Sequence, residues 1–392
     1  MSLVVEMATH VGALVGGILL HAFVAPPVHR KVEEIKARRA RARMNKERLP
    51  DPPLGFNMYT RGNLCLPVMS LFGTPSEPLS IDDLHIDFNP GLTHETGNFP
   101  QALRDAIPPL LREYIDARPG KQLTDNSMPR YLGHRQGGER VGDKRGEITI
   151  RLGLTNYFTY CATNCSLDQA VIPDQGTIWG FIRNRTLRAA YMPVPYLAEA
   201  APFANPLSSH CIVISRNNNQ TPANQVLIQR RGDKVALYRG FYHSSAAGYV
   251  TTSHRDQSDK PNPFVTAAAE ANQEVADRLR AKPSDYRLIG VAVNWGELDI
   301  NAYGFIETGL PAAELIADTS RDSYEGWIEA IPFTPSAVLS HIGKNRWEAI
   351  GAMALCQTLL AFFPDEAFDA EAQRMPSKTW REYCDLPEGH GA

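Results

Sequence analysis

The segment Met7–Ala25 (MATHVGALVGGILLHAFVA) carries no Asp, Glu, Lys or Arg. At 1.5 Å per residue, a helix of that length spans about 28 Å, close to the ~30 Å hydrocarbon core of a bilayer. Pro26-Pro27 would end such a helix. Beyond it lie Arg30, Lys31, Lys36, Arg38, Arg39, Arg41, Arg43, Lys46 and Arg48, against Glu33, Glu34 and Glu47. Before it, Glu6 is the charged side chain. The excess of Lys and Arg on one side predicts an N-terminus outside and a body inside, in the cytoplasm. The expectation is a single-pass anchor over 1–28 and a basic juxtamembrane linker over 29–55, attracted to anionic membrane lipids. A cleavable signal peptide ending at Ala22-Phe23-Val24-Ala25 is the rival reading; it lacks a basic n-region. Gly12 and Gly16 have the small-xxx-small spacing of a helix-packing face.

The remainder must fold in water. The chain has 392 residues, enough for two or three domains. With 43% apolar and 21% charged residues it can bury a sizeable core, which excludes whole-chain disorder. A formal net charge of −3 argues against DNA as a partner. The six cysteines form no C-x-x-C pair and are too sparse for a disulfide scaffold.

Pro50–Gly55 reads as a linker, and 56–205 as an α+β region of uncertain fold. Leu64–Phe72 is too short for a second membrane span and is broken by Pro67. A helix is expected over Gln101–Ala117, where Leu103, Ile107, Leu110, Leu111 and Tyr114 form one stripe. Arg135–Gly146 is a glycine- and arginine-rich loop, suited either to solvent or to an anion. Glu147–Leu154 alternates as a strand does. The block after it holds Tyr157 and Tyr160, candidates for stacking a base or for closing a domain interface.

From Ser208 the pattern sharpens, and a domain over 206–365 followed by a tail over 366–392 is expected. Ser208–Ser215, Gln225–Arg231, Tyr286–Val293 and Asn301–Ile306 read as strands. Phe264–Leu279 and Trp347–Phe363 read as helices, the second almost wholly apolar. Glu270 and Glu274 stand four apart, hence on one helix face. Arg230 and Arg231 close a strand and are candidates for phosphate, or ordinary surface charges.

This order of elements resembles the Nudix family, whose box is written G-x5-E-x7-R-E-U-x-E-E-x-G-U. Gly248 stands at the double-glycine position, and Ala269-Glu270-Ala271-Asn272-Gln273-Glu274-Val275-Ala276-Asp277 aligns with the helical part. The resemblance covers roughly two-fifths of the chain and implies an α/β fold, a mixed-sheet α/β/α sandwich. It also implies a Mg²⁺ or Mn²⁺ held by box carboxylates, with Glu270 and Glu274 as metal ligands and catalytic groups if the chain is a hydrolase. A further acidic ligand outside the box would be Glu297, Asp299 or Glu307. The box is degenerate: Ala269 replaces its arginine, Gln273 a carboxylate and Ala276 its glycine. A neutral amide attracts a dication less than a carboxylate does, so the expectation leans away from an enzyme and requires no cofactor.

An anchor followed by a damaged Nudix domain is similar to the membrane-bound effectors of bacterial CBASS antiphage systems. That resemblance implies a nucleotide sensor in the bacterial inner membrane. It would bind a cyclic oligonucleotide through Arg230, Arg231, Tyr157, Tyr160 and Gly248, assemble as a homo-oligomer and compromise the membrane. Those effectors have two transmembrane helices, and this chain has one convincing span. The alternative is a membrane-tethered Nudix hydrolase cleaving a nucleoside diphosphate derivative.

Overall fold

A computed structural model describes residues 57–93, 125–137, 147–162, 164–166, 204–216, 224–232, 238–318 and 326–379, with a few single residues besides. The proposed anchor, the basic linker, most of Gln101–Ala117 and most of the glycine- and arginine-rich loop lie outside them. Among the described residues no helix is long and apolar enough to cross a membrane.

Among the described residues thirteen strands follow in chain order: β1 Tyr59–Arg61, β2 Leu64–Leu66, β3 Val68–Gly73, β4 Leu84–Thr93, β5 Ser127–Gln136, β6 Ile148–Asn156, β7 Leu207–Arg216, β8 Asn224–Arg231, β9 Tyr242–His243, β10 Ala246–Tyr249, β11 Tyr286–Asn294, β12 Ile300–Thr308 and β13 Gly326–Pro332. The helices are α1 Tyr157–Ala162, α2 Pro263–Glu270, α3 Ala312–Ile316, α4 Pro335–Lys344, α5 Ala349–Phe362 and α6 Asp365–Arg374.

The main sheet runs β13-β8-β7-β12-β11-β3, with β10 added to β7 and β9 to β8. It is mixed, because β7 and β12 are parallel while the other pairs are antiparallel. Strand β7 is buried along its length up to Arg216, and its side chains alternate between two cores. Leu207, Cys211 and Val213 pack with Phe264, Ala267 and Ala271 of the α2 segment. Ile212 and Ile214 pack with Val338, Leu339, Ile350 and Met353 of α4 and α5. Helices thus cover both faces of a mixed sheet.

One element differs from the periodicity reading. The helix expected over Phe264–Leu279 is regular only to Glu270. A π-type turn spans Ala271–Val275, and the chain leaves it at Ala276, with φ −168° and ψ 130°. The Ala276 N–H bonds to the Ala271 carbonyl five residues back, at 3.3 Å. The wider turn lets Glu274, Val275 and Ala276 all be buried in succession.

The region before residue 206, whose fold the sequence left open, takes part in the main sheet. Strand β3 comes from that region and pairs with β11 at the edge of the main sheet. Met69, Leu79, Ile86, Tyr131 and Ile150 share one core with Leu207, Val291 and Ile300. The second, three-stranded sheet, β4-β6-β5, is built from residues before 206 and is joined to the chain after it by a bridge from Arg130 to Pro206. Leu64–Phe72 supplies β2 and most of β3, divided at Pro67, which lacks an N–H for a ladder.

Candidate functional site

The end of α2 brings Glu270, and the π-type turn after it brings Glu274, to strand β10. Gly248 is half-buried there, and a Cβ on it would lie 2.1 Å from Glu270 Oε1, so the Glu270 side chain occupies the space that glycine leaves. Glu274 is buried, and its Oε2 accepts the Ala247 N–H at 3.0 Å and the Gln229 Nε2–H at 3.4 Å. Gln273 is exposed. Two carboxylates therefore close over the Ala247-Gly248 backbone, while the neutral member of the box faces solvent. This donor set fits a Mg²⁺ or Mn²⁺ ion poorly, because such ions prefer several charged oxygens and Glu274 is already engaged.

Arg230 and Arg231 diverge, as neighbours on a strand do. Arg230 is exposed, with its guanidinium 5.2 Å from the Trp327 ring centre and 5.9 Å from that of Tyr242. The charge of Arg231 acts on the other side: it adds to the burial that lowers the pKa values of His210 and His243, and offsets part of the burial that raises those of Glu297 and Glu348.

Tyr160 is fully buried and Tyr157 half-buried, with ring centres 6.3 Å apart. The Tyr160 hydroxyl accepts from Tyr249 at 2.6 Å and donates to Glu297 Oε2 at 3.2 Å. Its ring meets that of Tyr249 edge-on at 5.1 Å.

The three acidic candidates outside the box separate. Glu307, near the far end of β12, pairs with Arg216. Glu297 and Asp299 flank Leu298 in the buried turn between β11 and β12, where Leu298 has φ +52°. Such a conformation is strained for a branched residue. Glu297 Oε1 and Asp299 Oδ1 are buried and make no hydrogen bond among the described residues. Burial raises both carboxyls, and each-other's proximity raises Asp299 further, with Glu348 adding to it.

Sequence reading missed His210, His243, Ser244, Asn301 and Glu348, which converge behind β7 and β9. The available signal was polar residues inside otherwise buried strands: Ser208 and His210 in β7, Asn301 in β12.

No family model matches this chain, and no curated protein matches it. Among solved structures, a MutT/nudix family protein from Enterococcus faecalis is similar at 12% identity, over 45% of this chain and 75% of that one, with a TM-score of 0.28. A similarity of that degree assigns no substrate and no catalytic residue.

Proposed function

We propose that the chain is a nucleotide sensor: a membrane anchor over residues 1–28 carrying a degenerate Nudix-like domain that binds a cyclic oligonucleotide without turning it over. Binding would order or oligomerise the body and so rearrange the anchor helices in a bacterial inner membrane. The observation that carries binding over turnover is the state of the box carboxylates. Glu274 is held by Ala247 and Gln229, and Gln273 turns to solvent. A diphosphate hydrolase needs several carboxylates free to hold a metal. Arg231 and the half-buried Tyr157 remain the groups suited to a phosphate and a base.

The test uses the full chain in detergent with Mn²⁺ and a panel of linear and cyclic nucleotides. Mass spectrometry reads what stays bound and what is cleaved. Retention of an intact cyclic oligonucleotide is the expected result. Multiple turnover of a nucleoside diphosphate derivative, abolished by Glu274→Gln, overturns the proposal in favour of a tethered hydrolase. Flotation with vesicles of anionic lipid tests the anchor: the full chain is expected at the top of the gradient, and the chain lacking 1–28 at the bottom.

A further inference from the structure

The cluster behind β7 and β9 follows a hydrogen-bond logic that leaves a gap. Asn301 Nδ2 donates to the Asp299 carbonyl at 3.1 Å, so its Oδ1 faces Ser208 Oγ at 2.5 Å and His210 Nε2 at 3.0 Å. An amide oxygen only accepts, so His210 carries its proton on Nε2 and has a lone pair on Nδ1. The Ser244 hydroxyl has two acceptors in reach, His210 Nδ1 at 3.2 Å and the Ala246 carbonyl at 3.1 Å. When the hydroxyl proton goes to either of them, His243 Nδ1, 2.9 Å from Ser244 Oγ, is a donor. That places a bare lone pair on His243 Nε2, which faces Glu348 Oε2 at 3.7 Å. Both residues are buried. In that tautomer two acceptors face one another across a dry gap too long for a hydrogen bond, and either a proton on Glu348, whose pKa burial raises to about 7, or a cation between them relieves it.

We propose that His210, His243 and Glu348 bind a zinc-type divalent metal ion that ties the start of α5 to β7 and β9. One donor atom from each residue lies within 4.8 Å of the other two. Ligands of a tetrahedral zinc at bond lengths of ~2.0–2.1 Å stand about 3.4 Å apart, so a small contraction closes the site. Two imidazoles with one carboxylate suit zinc and its neighbours rather than Mg²⁺ or Ca²⁺, which take oxygen ligands.

The surroundings already orient each ligand. His210 donates Nε2–H to Asn301, and His243 Nδ1 is held within hydrogen-bond distance of the Ser244 hydroxyl, at 2.9 Å. When a metal takes His210 Nδ1, the Ser244 hydroxyl turns to Ala246. Glu348 caps α5, accepting the Ile350 N–H at 2.9 Å and the Gly351 N–H at 2.6 Å. Such outer partners fix ring orientation and tautomer at metal sites. Among the described residues, Glu297 acts electrostatically on Glu348 against the opposing charge of Arg231. Burial keeps both imidazoles neutral, lowering His210 to about 3 and His243 in the same direction. A water would complete the coordination.

The site is separate from the Glu270 and Glu274 carboxylates, and its test does not depend on any nucleotide. The full chain is purified with a tag free of histidine and without chelator, and its metal content is measured by plasma mass spectrometry. About one zinc per chain is expected, with a melting temperature that falls on chelation and recovers when zinc is added back. Glu348→Gln keeps an oxygen to cap α5 while removing the charged ligand. It is expected to stay folded by circular dichroism and to lose the zinc. In the cobalt-loaded wild-type chain, visible d–d bands are expected, and Glu348→Gln and His243→Ala are expected to lack them. A chain without stoichiometric metal whose melting temperature ignores added zinc overturns the proposal. So do variants that bind cobalt as the wild type does.

Discussion

At the scale of single residues, Glu274 and Asp299 show how differently two buried carboxylates behave. Glu274 is satisfied, with two donors on Oε2. Glu274→Ala leaves a half-buried N–H on Ala247 without its acceptor and is expected to cost about 2–3 kcal/mol in urea unfolding. Glu274→Gln retains an acceptor and is expected to cost about 1 kcal/mol or less. Asp299 has a buried oxygen without a partner among the described residues, and its pKa is raised by burial, then by Glu297 and Glu348. The folded chain therefore holds a proton on Asp299 at pH values where the unfolded chain has released it. The contribution to stability is complete below the ordinary aspartate range and is lost as pH rises towards the folded pKa. Asp299→Asn cannot ionise, so its melting temperature is expected to fall less steeply than the wild type's from pH 4 upwards. A slope equal to that of the wild type would refute this. The Glu270–Glu274 spacing was legible because a helix face is set by local periodicity. The sequence reading set Arg230 and Arg231 together as candidates for phosphate, whereas the period of a strand turns neighbours to opposite faces. The bonds from Ala247 and Gln229 to Glu274 were not legible, since three segments must meet to make them.

At the scale of elements, α5 shows what closeness requires. Its first turn lies against β9, where a Cβ at Gly351 would stand 2.8 Å from the Ser244 nitrogen and 3.1 Å from His243 Cα. Both obstacles are backbone and cannot swing aside. Gly351→Ala is expected to push the helix off the sheet and cost about 1–3 kcal/mol, despite the better helix propensity of alanine. The sequence marked this helix by its almost wholly apolar run, and the structure begins it at Ala349, with Glu348 as cap. The α2 segment is the opposite case. Apolar spacing announced one helix to Leu279, but the π-type turn and the break at Ala276 depend on burying three consecutive residues against the sheet. Local propensity contains no information about that demand.

For the whole molecule, the decisive pairing is β3 with β11. It draws the chain before residue 206 into the main sheet and merges its apolar residues into a shared core. A fragment of residues 206–392 would expose the inner edge of β11 together with the core face that Met69 and Ile150 cover. It is expected to be insoluble or to aggregate on expression, while a chain beginning at residue 56 folds; size-exclusion chromatography distinguishes the two. By itself the sequence determined strands β7, β8, β11 and β12, helix α5 and the start of α2, the four-residue step between the box glutamates and the apolar run near the N-terminus. These are properties of short windows, set by the periods of the backbone and by composition. Only the tertiary structure decided that β3 closes the sheet, that Glu297 and Asp299 are buried while Glu307 is paired with Arg216, and that His210, His243 and Glu348 meet. The chemistry of those groups depends on what covers them, and each is covered by chain far away in sequence.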